Sequence, residues 1–140
     1  MDKKEVKKAV ENILENSYVG TMSTISNDKP NARYMTFFHD DLKLYTITSK
    51  ETHKVDELEK NPYTHVLLGY DGEGFGDDYV EYEGKVKQSD NQKLIDKLWN
   101  DKMGYWFNGP DDERILILEI EPLHVRLLNK KGQPSQEIDL

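Results

Sequence analysis

Asn31-Ala32-Arg33-Tyr34-Met35-Thr36-Phe37-Phe38-His39-Asp40-Asp41-Leu42-Lys43-Leu44-Tyr45-Thr46-Ile47-Thr48-Ser49-Lys50-Glu51-Thr52-His53-Lys54-Val55 is the stretch from which the rest of the chain is best read. It contains two short apolar runs, Tyr34–Phe38 and Leu42–Ile47, rich in aromatic and β-branched residues and joined at His39-Asp40-Asp41. A polar junction this short between such runs predicts a β-hairpin. A segment rich in hydroxyls and cations comes next, Thr48 to Lys54, and leads into the amphipathic pair Val55 and Leu58. Arg33 therefore opens one strand, and Lys54 stands where a helix starts after the next. Two readings fit these residues. Two cations, several hydroxyls and a helix N-terminus together suit a phosphate, because free amides and the helix dipole favour an anion there. Equally, Thr52 is an ordinary N-cap, with Lys50 and Lys54 as solvated surface charges.

Working outward, the 140 residues suit one domain with a core of its own. The chain is polar, with 33% charged residues, but its 14 aromatic residues (Phe 4, Trp 2, Tyr 8) and its periodic apolar runs argue against disorder. A net charge of −8 argues against general nucleic-acid or acidic-membrane binding, so an anionic ligand needs a local basic pocket. The absence of cysteine excludes disulfides, thiol catalysis and cysteine-ligated metal. The charged start Met1-Asp2-Lys3-Lys4-Glu5 does not read as a signal peptide, and no apolar run approaches a membrane span. The expectation is a soluble, cytoplasmic protein.

Asp2 is placed to cap a helix running to about Asn16, with Val6, Ala9, Val10, Ile13 and Leu14 as its apolar stripe. Tyr18 to Ser26 reads as a strand, Asn27-Asp28-Lys29-Pro30 as a turn, and the return strand begins near Asn31. These strands form an antiparallel meander, since their connections are too short for crossover helices. A short helix from Thr52 to Lys60 stops at Asn61-Pro62, and Tyr63 to Tyr70 is the next strand. Asp71 to Asp77 is glycine-rich but lacks a dinucleotide fingerprint or calcium-loop spacing, and reads as a flexible loop or bulge. Tyr79 to Lys87 alternates as a half-exposed strand with a bulge or close approach at Gly84, Glu81 and Glu83 lying on its solvated face. Asn91 to about Met103 reads as helix and Gly104 to Pro110 as an aromatic loop. Then come a run Ile115–Ile120, a break at Pro122, a last strand His124–Leu128, and a loosely held tail. Ile115-Leu116-Ile117-Leu118 is apolar on both faces, so a closed barrel or a second subunit must cover it twice. About six strands with short connections and interspersed helices predict a small barrel, mainly β with helices (α+β). The single domain spans residues 1–129, with 130–140 as the tail.

His39, His53, His65 and His124 show no metal-ligand spacing, and no serine stands in a nucleophile elbow. No metal site is expected and no catalytic residue is identified. Trp106 and Phe107, in their glycine-flanked loop, form either a satellite core beneath it or an aromatic wall against a planar ligand.

The order of segments Gly20–Thr24, Asn31–Phe37, Leu44–Ser49, Thr52-His53-Lys54, Asn61-Pro62 and Trp106-Phe107 before Asp111-Asp112 resembles the pyridoxamine 5′-phosphate oxidase-like FMN-binding split barrels. Within these it is most similar to the general stress protein 26 group, over about Val6 to Asn129. The resemblance implies a six-stranded antiparallel split barrel and a homodimer with FMN at the subunit interface. It also implies that Arg33 and Lys54 hold the FMN phosphate, with Thr48, Ser49 and Thr52 as hydroxyl donors. Tyr34, Met35 and Thr36 would run beside the isoalloxazine ring, and Trp106 and Phe107 would cover it from the partner chain. His53 falls where the oxidases carry a second basic residue. The oxidases also end in a longer basic, histidine-containing segment, where this chain has only His124 and Arg126. The function implied by the resemblance is that of an FMN-dependent oxidoreductase of an unassigned small molecule, related to stress response, with a nicotinamide nucleotide as reductant. The alternatives are a non-catalytic flavin-binding or sensing protein, or a split barrel carrying haem, a deazaflavin or a B6 vitamer.

Overall fold

A computed structural model describes residues 1–72, 74–75 and 77–140. Helix α1 (Lys3–Asn16) leads into β1 (Val19–Ser26), β2 (Lys29–Asp40) and β3 (Lys43–Ser49). Helix α2 (His53–Lys60) connects to β4 (Tyr63–Leu68) and β5 (Tyr79–Ser89). Helix α3 (Gln92–Leu98) and a 3₁₀ turn (Asp101–Tyr105) precede the long β6 (Ile115–Leu128), and β7 (Gln136–Glu137) is the last element. The sheet runs β3-β2-β1-β4-β5-β6-β7 and closes through β3–β6, so β1 to β6 form an antiparallel barrel. The glycine-rich Asp71–Asp77 loop includes Glu73 and Gly76, which lie outside the described residues.

The local causes are visible in the residues. Asp2 Oδ1 accepts from the Glu5 N–H at 2.8 Å and caps α1, whose Val6, Val10 and Leu14 join Leu68, Val80, Val125 and Leu127 in the main core. Asn27 and Asp28 both take positive φ, giving the tight two-residue hairpin turn whose twist matches the flanking strands. Strand β2 therefore begins at Lys29 rather than Asn31. Pro30 is tolerated inside it because β2 is paired only to β1 there, and its missing N–H is not needed.

Three further sequence expectations change. Helix α3 stops at Leu98: Trp99 leaves helical geometry, and the Asn100 side chain accepts from the Lys102 N–H at 2.9 Å to start the separate 3₁₀ turn. Pro122 does not break the chain into two strands, and β6 is continuous from Ile115 to Leu128. Pro122 sits opposite Gly84 where the β5–β6 register slips around Leu123, after β3 pairing ends at Ile120 and before β7 pairing begins at Arg126. No ladder hydrogen bond is demanded of it at that bulge. The tail is docked rather than loose: Gln136 and Glu137 pair with Leu127 and Arg126, and the Ile138 N–H donates to the Val125 carbonyl at 2.9 Å. Ile138 itself is buried in the main core.

Both faces of Ile115–Leu118 are covered by the chain itself. Leu116, Leu118 and Ile120 point into the barrel, while Ile115 and Ile117 pack with Tyr45, Ile95 and Phe107 beneath α3 and the aromatic loop. No helix among the described residues is long and apolar enough to cross a membrane.

Candidate functional site

The site arises where the barrel fails to pair. Strand β1 pairs with β2 along Lys29–Thr36, but β3 pairs with β2 only along Phe37–Asp40. Beyond Thr46, β3 pairs with β6 alone, Ser49 standing opposite Ile115. The barrel is thus split between the Asn31–Thr36 edge of β2 and the Ile47–Ser49 end of β3. At the apex of the split, the Thr46 hydroxyl donates to the Thr36 carbonyl at 2.7 Å, satisfying one of the backbone acceptors freed there.

Alternation along β2 sends Arg33 and Met35 to the barrel side and Tyr34 and Thr36 outward. Met35 packs on the core, whereas Tyr34 is exposed on the outer sheet face, level with Thr21 and Leu67. Arg33 is half-buried: Nη1 donates to Thr24 Oγ1 at 2.8 Å and to the Met22 carbonyl at 3.3 Å, and Nη2 reaches Glu57 Oε2 at 3.5 Å. The guanidinium is thereby held toward α2.

The loop after β3 supplies the opposite wall. Thr52 Oγ1 donates to the Ser49 carbonyl at 3.0 Å and lies 3.4 Å from Thr48 Oγ1, while Ser49 Oγ accepts from the Glu51 N–H. Thr52 occupies the N-cap position of α2, yet its hydroxyl makes no cap hydrogen bond; the Val55 N–H donates to the Thr52 carbonyl at 3.2 Å, and no side chain among the described residues accepts from the His53 or Lys54 amide. Lys54 Nζ donates to Thr52 Oγ1 at 3.3 Å and makes no ion pair among the described residues. Burial, and next the Arg33 guanidinium, push the Lys54 pKa below the ordinary lysine value, with Glu57 opposing the shift. Lys50 is different: it is exposed and lies 3.5 Å from Asp90, so for Lys50 the surface-charge reading holds.

Arg33, Thr48, Ser49, Thr52 and Lys54 therefore come together around one uncapped helix start. That donor set fits a phosphate: two cations, hydroxyls and backbone amides converge, and Lys54 is half-buried without a carboxylate partner among the described residues. Trp106 and Phe107 do not act as a pair. Phe107 is 8% exposed and belongs to the second core, as the satellite-core reading expects, while Trp106 is 71% exposed. Arg114 clamps this loop through the Trp106 carbonyl at 3.0 Å and Asp112 at 2.8 Å, and the Lys50 N–H donates to the Arg114 carbonyl. The aromatic loop and the hydroxyl loop are thus anchored to each other.

Thr24, Asn31 and Glu57 also stand at the site, and the sequence reading assigned none of them to it, not even Glu57. Its signal was its spacing: Glu57 lies three residues after Lys54, which puts both on one face of α2. Elsewhere, Glu81 and Glu83 are not simply solvated. They flank Arg126 at 2.9 and 3.6 Å, and Glu137 binds Arg126 at 3.1 Å and His124 at 3.2 Å.

The sequence matches the pyridoxamine 5′-phosphate oxidase family over residues 6–129. It is 52% identical to general stress protein 26 of Bacillus subtilis (strain 168) across 140 residues, the whole of both chains. The fold superposes on the crystal structure of general stress protein 26 from Bacillus anthracis with a TM-score of 0.85 and 30% identity, covering 96% of this chain and 98% of that one. It also resembles a heme binding protein from Mycobacterium smegmatis, with a TM-score of 0.75 and 15% identity, over 94% of this chain and 56% of that one, a likeness of fold alone.

Proposed function

The chain belongs to the pyridoxamine 5′-phosphate oxidase family, and from that premise we propose that it is an FMN-binding protein acting as a flavin-dependent oxidoreductase on a small molecule. The observation that carries this reading is Lys54: a half-buried ammonium without an ion-pair partner among the described residues, beside Arg33 and the uncapped start of α2. Burying a cation in this way is unfavourable unless an anion completes the site. Arg33 and Lys54 would hold the FMN phosphate, with Thr48, Ser49 and the His53 and Lys54 amides donating to its oxygens, and Thr52 joining them once its hydroxyl turns from the Ser49 carbonyl. The open Tyr34–Thr36 edge offers backbone groups to the polar rim of the ring. Trp106, exposed and held through its carbonyl by Arg114, is a side chain able to cover a flavin from the partner in a homodimer. When bound, the flavin supplies hydride and electron exchange with a reductant such as a nicotinamide nucleotide.

The reading departs from pyridoxamine 5′-phosphate oxidation itself. His124 and Arg126, the only basic residues of β6, are already engaged by Glu81, Glu83 and Glu137 and are not free to grip a substrate phosphate. Haem is the weaker reading, because the groups that converge at the split, two cations, hydroxyls and helix amides, suit phosphate oxygens and include no ligand for iron.

The test is the visible spectrum of freshly purified protein, followed by mass identification of the released group. An oxidised-flavin spectrum with FMN near one per chain, bleached by a nicotinamide nucleotide and restored by an acceptor, is expected. A colourless protein that ignores added FMN overturns the proposal, and bound flavin without turnover leaves a sensing protein in place of an enzyme.

A further inference from the structure

We propose that Glu57 sets the affinity and charge selectivity of the split, as a fixed carboxylate that holds the pocket to a single net positive charge and so limits how tightly a phosphate monoester binds. This rests on the phosphate reading of the site and adds to it a residue that opposes the ligand.

The geometry separates Glu57 from an ordinary ion-pair partner of Arg33. Its strongest contact is to a neutral hydroxyl: Thr24 Oγ1, fully buried on β1, donates to Glu57 Oε2 at 2.5 Å. The Arg33 contact is a single long one at 3.5 Å, and Asn31 Nδ2 reaches the other oxygen at 3.5 Å. The strong form of a guanidinium–carboxylate pair has two short parallel bonds, and this pair has a single long one. Here the carboxylate is pinned by a core strand and the guanidinium merely lies alongside. Thr24 serves both, since its oxygen also accepts from Arg33 Nη1 at 2.8 Å. Lys54, on the same face of α2, directs its ammonium to Thr52 rather than to Glu57.

A carboxylate held in this way does not swing out when an anion enters. Its side chain is only 15% exposed, so solvent screens it poorly, and a dianionic phosphate near Arg33 is repelled by it. Two cations without Glu57 would grip the same ligand more tightly. Glu57 thus favours a phosphate ligand that can exchange over one bound permanently.

The opposite role, a buttress that positions Arg33 for the ligand, predicts the opposite sign, and one variant decides. Glu57→Gln keeps an acceptor for Thr24 and removes the charge. Titrations of FMN and of riboflavin, followed by flavin fluorescence, give the two affinities, and thermal midpoints confirm that each variant is folded. The expected result is that Glu57→Gln tightens FMN roughly tenfold, ~1.4 kcal/mol by the affinity scale, and leaves riboflavin, which has no phosphate, unchanged. Glu57→Ala shifts FMN in the same direction, which excludes a new contact from the glutamine amide. If the parent protein prefers FMN to riboflavin and Glu57→Gln leaves FMN unchanged or weaker, the opposing role of Glu57 alone is overturned. If the parent binds FMN no better than riboflavin, the phosphate reading falls and takes that role with it.

Discussion

Replacing Lys54 with methionine is expected to move stability and flavin affinity in opposite directions. Methionine keeps the unbranched stem and an equivalent helix preference while removing the charge. In the flavin-free protein the ammonium is half-buried, its acceptor is Thr52 Oγ1 at 3.3 Å, and burial and Arg33 lower its pKa from 10.5. A lysine with a lowered folded pKa binds protons more weakly in the folded chain than in the unfolded one. Stability therefore rises as pH climbs from the folded value to the unfolded one. Below both values, including neutral pH, the penalty for holding the charged form is fully present. Lys54→Met removes that penalty, so the thermal midpoint of the flavin-free protein stays level or rises.

For the ligand the sign reverses. A hydrogen bond to a charged group contributes about 1.5–3 kcal/mol, which corresponds to a roughly ten- to hundredfold loss of FMN affinity. Riboflavin lacks the phosphate and should bind the variant and the parent alike. Fluorescence titration with both flavins, alongside thermal unfolding without flavin, reads all three quantities. Unchanged FMN affinity together with a lowered midpoint would refute the reasoning, since Lys54 would then be a structural residue.

Three further outcomes test the fold around the site. Ile138→Ala should destabilise the protein by about 2–4 kcal/mol in urea, because Ile138 is buried in the main core; an unchanged unfolding midpoint would mean that the tail is loose. Phe107→Ala should destabilise by about 3 kcal/mol, while Trp106→Ala stays within about 0.5 kcal/mol, and equal effects would contradict the split assignment of the two aromatics. The Arg114 side chain, then the Asn108 and Arg114 backbone N–H groups, hold the Asp112 carboxyl far below its ordinary value of 3.8. Its contribution is present above 3.8 and is lost as pH falls toward the folded value. In a Trp99→Phe background the Trp106 emission should therefore change as the solution is acidified below 3.8, and adding Asp112→Asn should give the acid-form emission already at neutral pH. An emission indifferent to pH would remove Asp112 from the clamp.

How much of the molecule was legible in the sequence depended on whether the deciding neighbour lay nearby in the chain. Asp2, three residues before its donor Glu5, announced α1, and the alternation of Val80, Tyr82 and Val86 announced β5. Gly84 was legible as a bulge or close approach because an isolated glycine interrupts an alternating strand, and it is the close approach: a Cβ there would strike Ile120 and the Glu121 carbonyl, while the extra residue of the bulge is Leu123 on β6. Pro122 misled because its tolerance depends on what does not pair with β6, and that is a property of β3 and β7. Ile138 was invisible for a related reason: Ile138 and Leu140, at the end of a polar tail, are too few to set a period, and the partner of Ile138, Val125, lies on β6. Asn100 could have marked the end of α3, since asparagine favours caps over helix interiors, but the apolar residues Leu98, Trp99 and Met103 suggested continuity.

The site shows the same divide, with a further physical consequence. Arg33 and Lys54 could be picked out because cations stand out at the ends of elements in an acidic chain, while Glu57 is one of 27 acidic residues and acquires meaning only through Thr24, a β1 residue 33 positions away. The two cations and the open edge of β2 are parts of one arrangement. A strand edge left unpaired inside a barrel carries backbone donors and acceptors that water or a ligand must satisfy. The chain satisfies one of them, the Thr36 carbonyl, through Thr46, and leaves the Tyr34–Thr36 edge otherwise without a β3 partner. Had β3 continued its pairing with β2 past Thr46, Ser49 and Thr52 would have been carried along with it and the start of α2 would not stand beside Arg33. The missing hydrogen bonds of the barrel are therefore what create the pocket, and a ligand with an anionic end and a polar, hydrogen-bonding rim is the kind that answers both parts of it.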